Sequence, residues 1–388
     1  MLNSTENRAA GALNIQVQVD RQQVVAASSE LTRPLQSMQR LLLKQGPVQA
    51  CQMLPLLFAV CGEAHALAGK LACGLFEDDA VIDGCGNSNG GTPEGSSRRN
   101  PSIQRALAGV LRENLREHLM QLRQFWHLPL PTQAFAEAMK EISFAMERGD
   151  DVARSLAVEA LLMQLERNIH QQQWLPQLQD SLQQQLAGVV LPDSEVDSWQ
   201  ACQPGLMPES GRVFSGAGAD ALLHHAGQPL AQALLAVAQQ QWQATLRVME
   251  ALMQAANPHD WVRCHRTLDA AGQSVQQGWV RTARGWLLHQ VQQHGVAEGV
   301  VTDNAGWMIQ APTDVNFQGP LVTQCLTGMS VPNGTVDKAL RWIVRALDPC
   351  VGFDIEIREL EIREPETDKP TTSAQANVSA DSGAKHNA

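Results

Sequence analysis

Residues 345–357 read "RALDPCVGFDIEI". A helix runs into Asp348-Pro349, where proline's fixed φ and missing N–H stop it. Pro349 biases Asp348 toward extended backbone, so Cys350 leaves the helix end on a stiff turn. The turn presents one cysteine, yet Phe353 and Glu356 follow at the spacing where further ligands would stand. By itself it is either a plain helix terminus with a buried thiol or half of a ligand set.

Working outward, 388 residues with 44% hydrophobic and 18% charged content can bury a sizeable core. A net charge of −11 argues against a nucleic-acid protein and against an anionic membrane surface as partner. No apolar run is long enough to span a bilayer, and no basic-then-apolar leader opens the chain. The eight cysteines form no CxxC pair, which disfavours a structural zinc site and suits a reducing, cytoplasmic setting.

The organisation is that of a helix-rich α+β chain. Residues 13–27, "LNIQVQVDRQQVVAA", alternate as a β-hairpin. From Leu31 the pattern turns helical, with Leu35, Met38, Leu41 and Leu42 on one stripe. A second helix is expected from Gln49 to about Phe76. A Gly/Ser/Asn-rich stretch at about 83–101 reads as a flexible insert. Residues 102–190 read as amphipathic helices broken near Pro129, Pro131 and Pro176, with "HQQQWLPQLQDSLQQQL" as one solvated face. A loop-rich section at 191–220 precedes a long helix at 228–256. Short strands and turns are expected from 273, then a helix capped by Thr335. One domain over 1–363 and a disordered tail over 364–388 complete the expectation.

Four stretches could carry chemistry. In "AVCGEAHALAGKLA", Cys61 and His65 stand four apart, so on a helix they lie one above the other on the same face. The alternative is tight packing through the alanine face with an inert thiol. The Cys350 turn is the second. In "RTARGWLLH", Arg284 beside a glycine can aim five donors at an anion or simply sit on the surface. "IQAPTDVNFQGP" (309–320) reads as a Pro/Asn/Gly-rich loop. His224, His225, His259, Cys264 and His265 read as structural or surface residues, since no third ligand is placed. No P-loop, GxSxG, HExxH or GxGxxG fingerprint is present.

In their order, these segments resemble the large subunit of nickel-iron hydrogenases. "RAAGALNIQVQVD" is similar to that family's opening motif, "TRPLQ" to its Arg-Gly-x-Glu, and "CGEAHALAG" to the second half of its Cys-Gly-x-Cys-x-x-x-His. "TARGWLLH" is similar to Ala-Pro-Arg-Gly-x-Leu-x-His, "APTDVNFQGP" to its Pro-Thr-x-x-Asn segment, and "DPCVGFDIE" to the terminal Asp-Pro-Cys-x-x-Cys-x-x-His. Cys61, His65, Arg284 and Cys350 are kept. Phe58 and Phe353 replace one cysteine of each pair, Glu356 the terminal histidine, and Ala10, Ala12 and Gln36 the polar residues of the first two motifs.

The half-emptied ligand set resembles the HupK/HoxV family of hydrogenase accessory proteins. The resemblance implies a degenerate large-subunit-like fold with small β elements near both ends, and a non-redox scaffold rather than an enzyme. Such a scaffold carries iron as Fe(CN)2(CO), held transiently by Cys61 and Cys350 with Arg284 and His65 alongside, and takes no nickel. It also implies maturation proteins of the HypC/HypD type and the large subunit precursor as partners. A metal-free interaction protein and a residual metalloenzyme are the alternatives.

Overall fold

In the computed structural model, the alternation seen from Leu13 onward becomes a half-buried strand. Leu13, Ile15, Val17 and Val19 are buried, and Gln16 and Gln18 exposed. The structure describes residues 11–76, 101–193, 217–254, 256–268, 273–297, 300–319 and 321–360. The expected insert lies outside them except for Pro101, and the expected tail lies wholly outside.

Strand β1 (Ala12–Asp20) turns through Arg21 and Gln22 into β2 (Gln23–Thr32). Both turn residues have positive φ, 44° and 68°, as a two-residue hairpin matched to the strand twist requires. β2 runs past the expected end at 27. Helices α1 (Leu35–Leu43), α2 (Pro47–Leu57) and α3 (Gly62–Ala72) follow. The single helix expected over 49–76 is thus two, and Cys61 and His65 do not share a continuous helical face. Pro55 gives α2 no donor near its end, and Phe58 leaves helical geometry at φ −125°, ψ 71°. Gly62 then passes so close to Pro55 that an added Cβ would lie 2.9 Å from its Cα.

Next come α4 (Pro101–Gln124), α5 (Thr132–Glu147), α6 (Asp151–Gln171) and α7 (Trp174–Gln185). The glutamine-rich run is not one solvated face. It spans the end of α6, a left-handed Gln173 (φ 47°) and α7, where Trp174, Leu178 and Leu182 are buried. After α8 (Ala217–His224) and α9 (Leu230–Met253), strands β3 (Val262–Leu268), β4 (Ser274–Thr282), β5 (Gly285–Ala297) and β6 (Val300–Gln310) form an antiparallel sheet in that order. Helix α3 lies on this sheet. Gly278 of β4 permits the approach, because a Cβ there would come within 2.2 Å of the Ala68 carbonyl oxygen.

The stretch expected as a loop at 309–320 contains α10 (Pro312–Gln318), which leads to α11 (Leu321–Leu326) and α12 (Val336–Ala346). Thr335 precedes α12 without capping it by its side chain; its hydroxyl donates to the Pro332 carbonyl at 2.7 Å. Strand β7 (Gly352–Glu359) then pairs parallel to β1, giving a second sheet of order β2-β1-β7. The two ends of the described chain therefore meet in one mixed layer. The result is a helix-rich α+β fold. Among the described residues, no helix is long and apolar enough to cross a membrane.

Candidate functional site

Cys61 occupies the N-cap position of α3, at the break that separates it from α2, and its carbonyl accepts from the His65 amide at 3.0 Å. Cys350 follows the end of α12. Asp348 is left-handed there (φ 52°), not extended as its following proline suggested. Its amide closes the helix on Val344 and Arg345. A short polar side chain tolerates this conformation, and its carboxylate is held by Arg284 (Nε–Oδ2 3.1 Å).

Cys61 and Cys350 lie near enough for the charge of one to act on the other. Burial, then the charges of Cys350 and Glu113, push the Cys61 thiol up, against the opposing pull of Arg284 and Arg33. Arg33, at the end of β2, donates through Nη2 to the Cys350 sulfur and through Nη1 to Asp314 (3.0 Å), with both members of that ion pair less than a tenth exposed. Asp314 in turn accepts from the Ala311 amide at 3.0 Å. Thr313 completes the seat: its hydroxyl donates to the Cys350 sulfur at 3.0 Å and accepts from the Cys350 amide at 3.2 Å.

Arg284 sits on the β4–β5 turn and is clamped from two sides, by Asp348 and by Glu117 of α4 (3.1 Å). Burial would lower its pKa, but Asp348, Cys350, Glu117 and Cys61 together raise it, so the guanidinium stays charged. The turn itself is bolted to α4. Asn114 donates to the Arg281 carbonyl and accepts from the Ala283 amide, both at 3.0 Å. The residue before it, Glu113, accepts from the Glu63 amide at 2.9 Å at the start of α3.

His65 faces a different set of neighbours. Its ring stacks on Phe58 (3.6 Å, 5° between planes), and its Nδ1 lies 2.8 Å from His289 Nε2. Trp307 Nε1 donates to His289 Nδ1 at 3.0 Å. Burial, then His289, lowers the His65 pKa well below its ordinary value, and burial holds His289 down at about 3. Both rings are therefore neutral. Phe353 is half-buried on β7, and Glu356, in the place of a terminal histidine, pairs with Arg358 at 2.8 Å on the exposed face of that strand. Among the described residues, no group of three or more His, Cys, Asp or Glu converges as a metal-binding set.

Arg33, Thr313, Asp314 and Glu117 of the cluster, and His289 beside His65, were not singled out in the sequence. Arg33 and the Thr313-Asp314 pair lie inside "TRPLQ" and "APTDVNFQGP", and His289 inside "TARGWLLH", so the segments pointed to them even though the residues were not named. Glu117 gave no signal, because a glutamate in an amphipathic helix looks like any solvated residue.

No family model matches the chain. Among solved structures it is similar to a [NiFeSe] hydrogenase variant from Desulfovibrio vulgaris Hildenborough, at 12% identity and TM-score 0.49 over 86% of this chain and 94% of that one. An NAD+-reducing [NiFe]-hydrogenase follows at 12% and 0.39, over 84% and 92%. Curated relatives are nearer in sequence. The hydrogenase expression/formation protein HupK of Azotobacter vinelandii is 31% identical over 90% of this chain and 99% of its own. HupV of Azotobacter chroococcum mcd 1 is 30% identical over 90% and 99%, and HupK of Rhizobium leguminosarum bv. viciae 26% over 90% and 97%. With such similarity over nearly its whole length, the chain belongs to the HupK/HupV family of hydrogenase expression/formation proteins.

Proposed function

We propose that this chain is a non-redox scaffold of hydrogenase maturation, which carries an Fe(CN)2(CO) unit as cargo and passes it to the large subunit precursor. The observation that supports the proposal is a Cys350 sulfur seated by Arg33 and Thr313, with Cys61 and the buried guanidinium of Arg284 near enough for their charges to act on one another. Thiolates are soft ligands suited to iron. Iron binding displaces the proton that burial otherwise keeps on Cys61. Each guanidinium has five N–H donors, more than its carboxylate and sulfur contacts consume, so donors remain for a cyanide nitrogen.

The chemistry of the donor set also argues against nickel. Phe58 and Phe353 stand where the family resemblance places two further thiolates, and a hydrated dication in an apolar place is costly. Docking proteins of the HypC/HypD type and a cytoplasmic setting complete the proposal.

The test is infrared spectroscopy of protein purified anaerobically after co-expression with the maturation proteins, together with iron and nickel analysis. Carbon monoxide and cyanide bands with little nickel are expected. Cys61→Ala and Cys350→Ala should each abolish the bands while the fold persists, at a cost of about 1 kcal/mol each. Undiminished bands in both variants would refute the site, and stoichiometric nickel would revive a metalloenzyme. A second reading, a metal-free interaction protein, draws on the hydrogen bonds that Thr313 and Arg33 already give the Cys350 sulfur. Correctly folded, co-expressed protein without iron would favour it.

A further inference from the structure

Behind the Arg284 turn, a cleft of about 1110 Å³ opens between α9, the 3-10 turn at Pro258–Asp260 and the β4–β5 turn. Arg247, Arg263 and Arg281 line it, in a chain whose net charge is −11. Among the described residues none of the three reaches a carboxylate at ion-pair distance. Two lean on indole faces instead: Arg263 stands 4.9 Å from the centre of the Trp286 ring, and Arg281 5.8 Å from that of Trp261. An indole face steadies a guanidinium without occupying its N–H edge.

The arginines are close enough to oppose one another. Burial and then the charges of Arg247 and Arg263 lower the Arg281 pKa, with Asp260 acting against them. Asp260 and Glu250 are the acids on the cleft wall, so three positive groups face two negative ones. His118 also lines the cleft. It is 4% exposed, and its Nδ1 is sealed from solvent without a hydrogen-bond partner. Burial, then Arg284, Arg247 and Arg281, hold its pKa down at about 3, so the ring is neutral and keeps one donor and one acceptor. Clustered like charges without a carboxylate at ion-pair distance are unfavourable, and an anion that brings acceptor oxygens relieves them.

We propose that this cleft binds a small anionic molecule through Arg247, Arg263 and Arg281, which grip its phosphate or carboxylate group beside His118. The cleft is separate from the thiol cluster but shares a wall with it. Thr282, Ala283 and Gly285 line the cleft, while Arg284 between them is tied to Glu117 and Asp348.

Titration calorimetry of the full chain at low salt, with pyrophosphate and with citrate as probes, tests this. At least one should bind with a Kd on the order of 0.1 mM. Pyrophosphate alone would point to a phosphate ligand and citrate alone to a carboxylate. Arg247→Ala and Arg281→Ala should each weaken binding about tenfold or more. Arg341→Ala, which removes the same charge from α12, should leave it unchanged. If Arg281→Ala does not fold, Arg247→Ala on the exposed side of α9 decides. The proposal falls if neither anion binds at about 1 mM, or if binding survives the loss of Arg247.

Discussion

Arg33 holds the sulfur of Cys350 with one guanidinium nitrogen and the carboxylate of Asp314 with the other, across 317 residues of sequence from the first partner and 281 from the second. Because both members of the ion pair are buried, removing either strands the other. Arg33→Ala and Asp314→Asn should each lower the free energy of unfolding by about 3 kcal/mol. The double variant should lose less than the sum of the two. Additive losses in urea titrations would show that the pair is not coupled.

Arg284 is the counter-charge for two buried carboxylates, Glu117 and Asp348. Arg284→Ala should destabilise the protein at pH 7 by about 3–5 kcal/mol. Part of that loss should return at about pH 5, as the stranded Asp348 carboxyl, raised by burial, protonates. Arg284→Lys should restore charge but not the two-sided clamp, so an intermediate loss is expected. If lysine matches the native protein in urea unfolding, the planar fork is not needed.

Glu113 provides a pH signature. Burial raises its carboxyl to about 7, in spite of the amides of Glu63 and Ala64 that it accepts from. Between its ordinary value of 4.5 and about 7, the folded chain keeps a proton that the unfolded chain has released. Stability from this group therefore falls as pH rises through that window, by up to about 3 kcal/mol. Glu113→Gln should flatten the fall, measured as the change in unfolding free energy between pH 5 and pH 8. Identical changes in both proteins would mean that Glu113 is ionised throughout.

The buried imidazoles have a defined tautomer order. Trp307 donates to His289 Nδ1, so the proton of His289 sits on Nε2 and is donated to His65 Nδ1, which leaves the His65 proton on Nε2. Nitrogen-15 NMR should find both rings neutral in this form from pH 5 to 8. Trp307→Phe should release His289 to the other tautomer. A midpoint near the ordinary 6.5 for either ring would contradict the arrangement.

Much of the frame was legible because it rests on local rules. The alternation from Leu13 to Val19 marked a half-buried strand, and Asp348-Pro349 marked a helix end. The errors came where contacts override such rules. Asp348 is left-handed because the α12 terminus and Arg284 together select that conformation, which a preceding-proline preference cannot reveal. The helix through Cys61 breaks because Gly62 folds back on Pro55, a close approach with no signature in spacing. Residues 312–318 form a helix because Asp314 reaches back to the Ala311 amide while Arg33 neutralises it, and that arginine is distant in sequence. For Asp348 and Asp314 the deciding partner, Arg284 or Arg33, is distant in sequence.

The parallel pairing of β7 with β1 sets a timetable for the molecule. Strand β7 emerges from the ribosome long after β1, and Cys350 stands two residues before it. Until that strand docks, Arg33 has no sulfur to hold. Contacts of such high sequence separation close late and slowly, since the loop-closure entropy is spent before any contact is gained. A nascent or C-terminally truncated chain without β7 consequently lacks the Arg33–Cys350 contact, and under the proposed function it takes up no cargo before that strand docks.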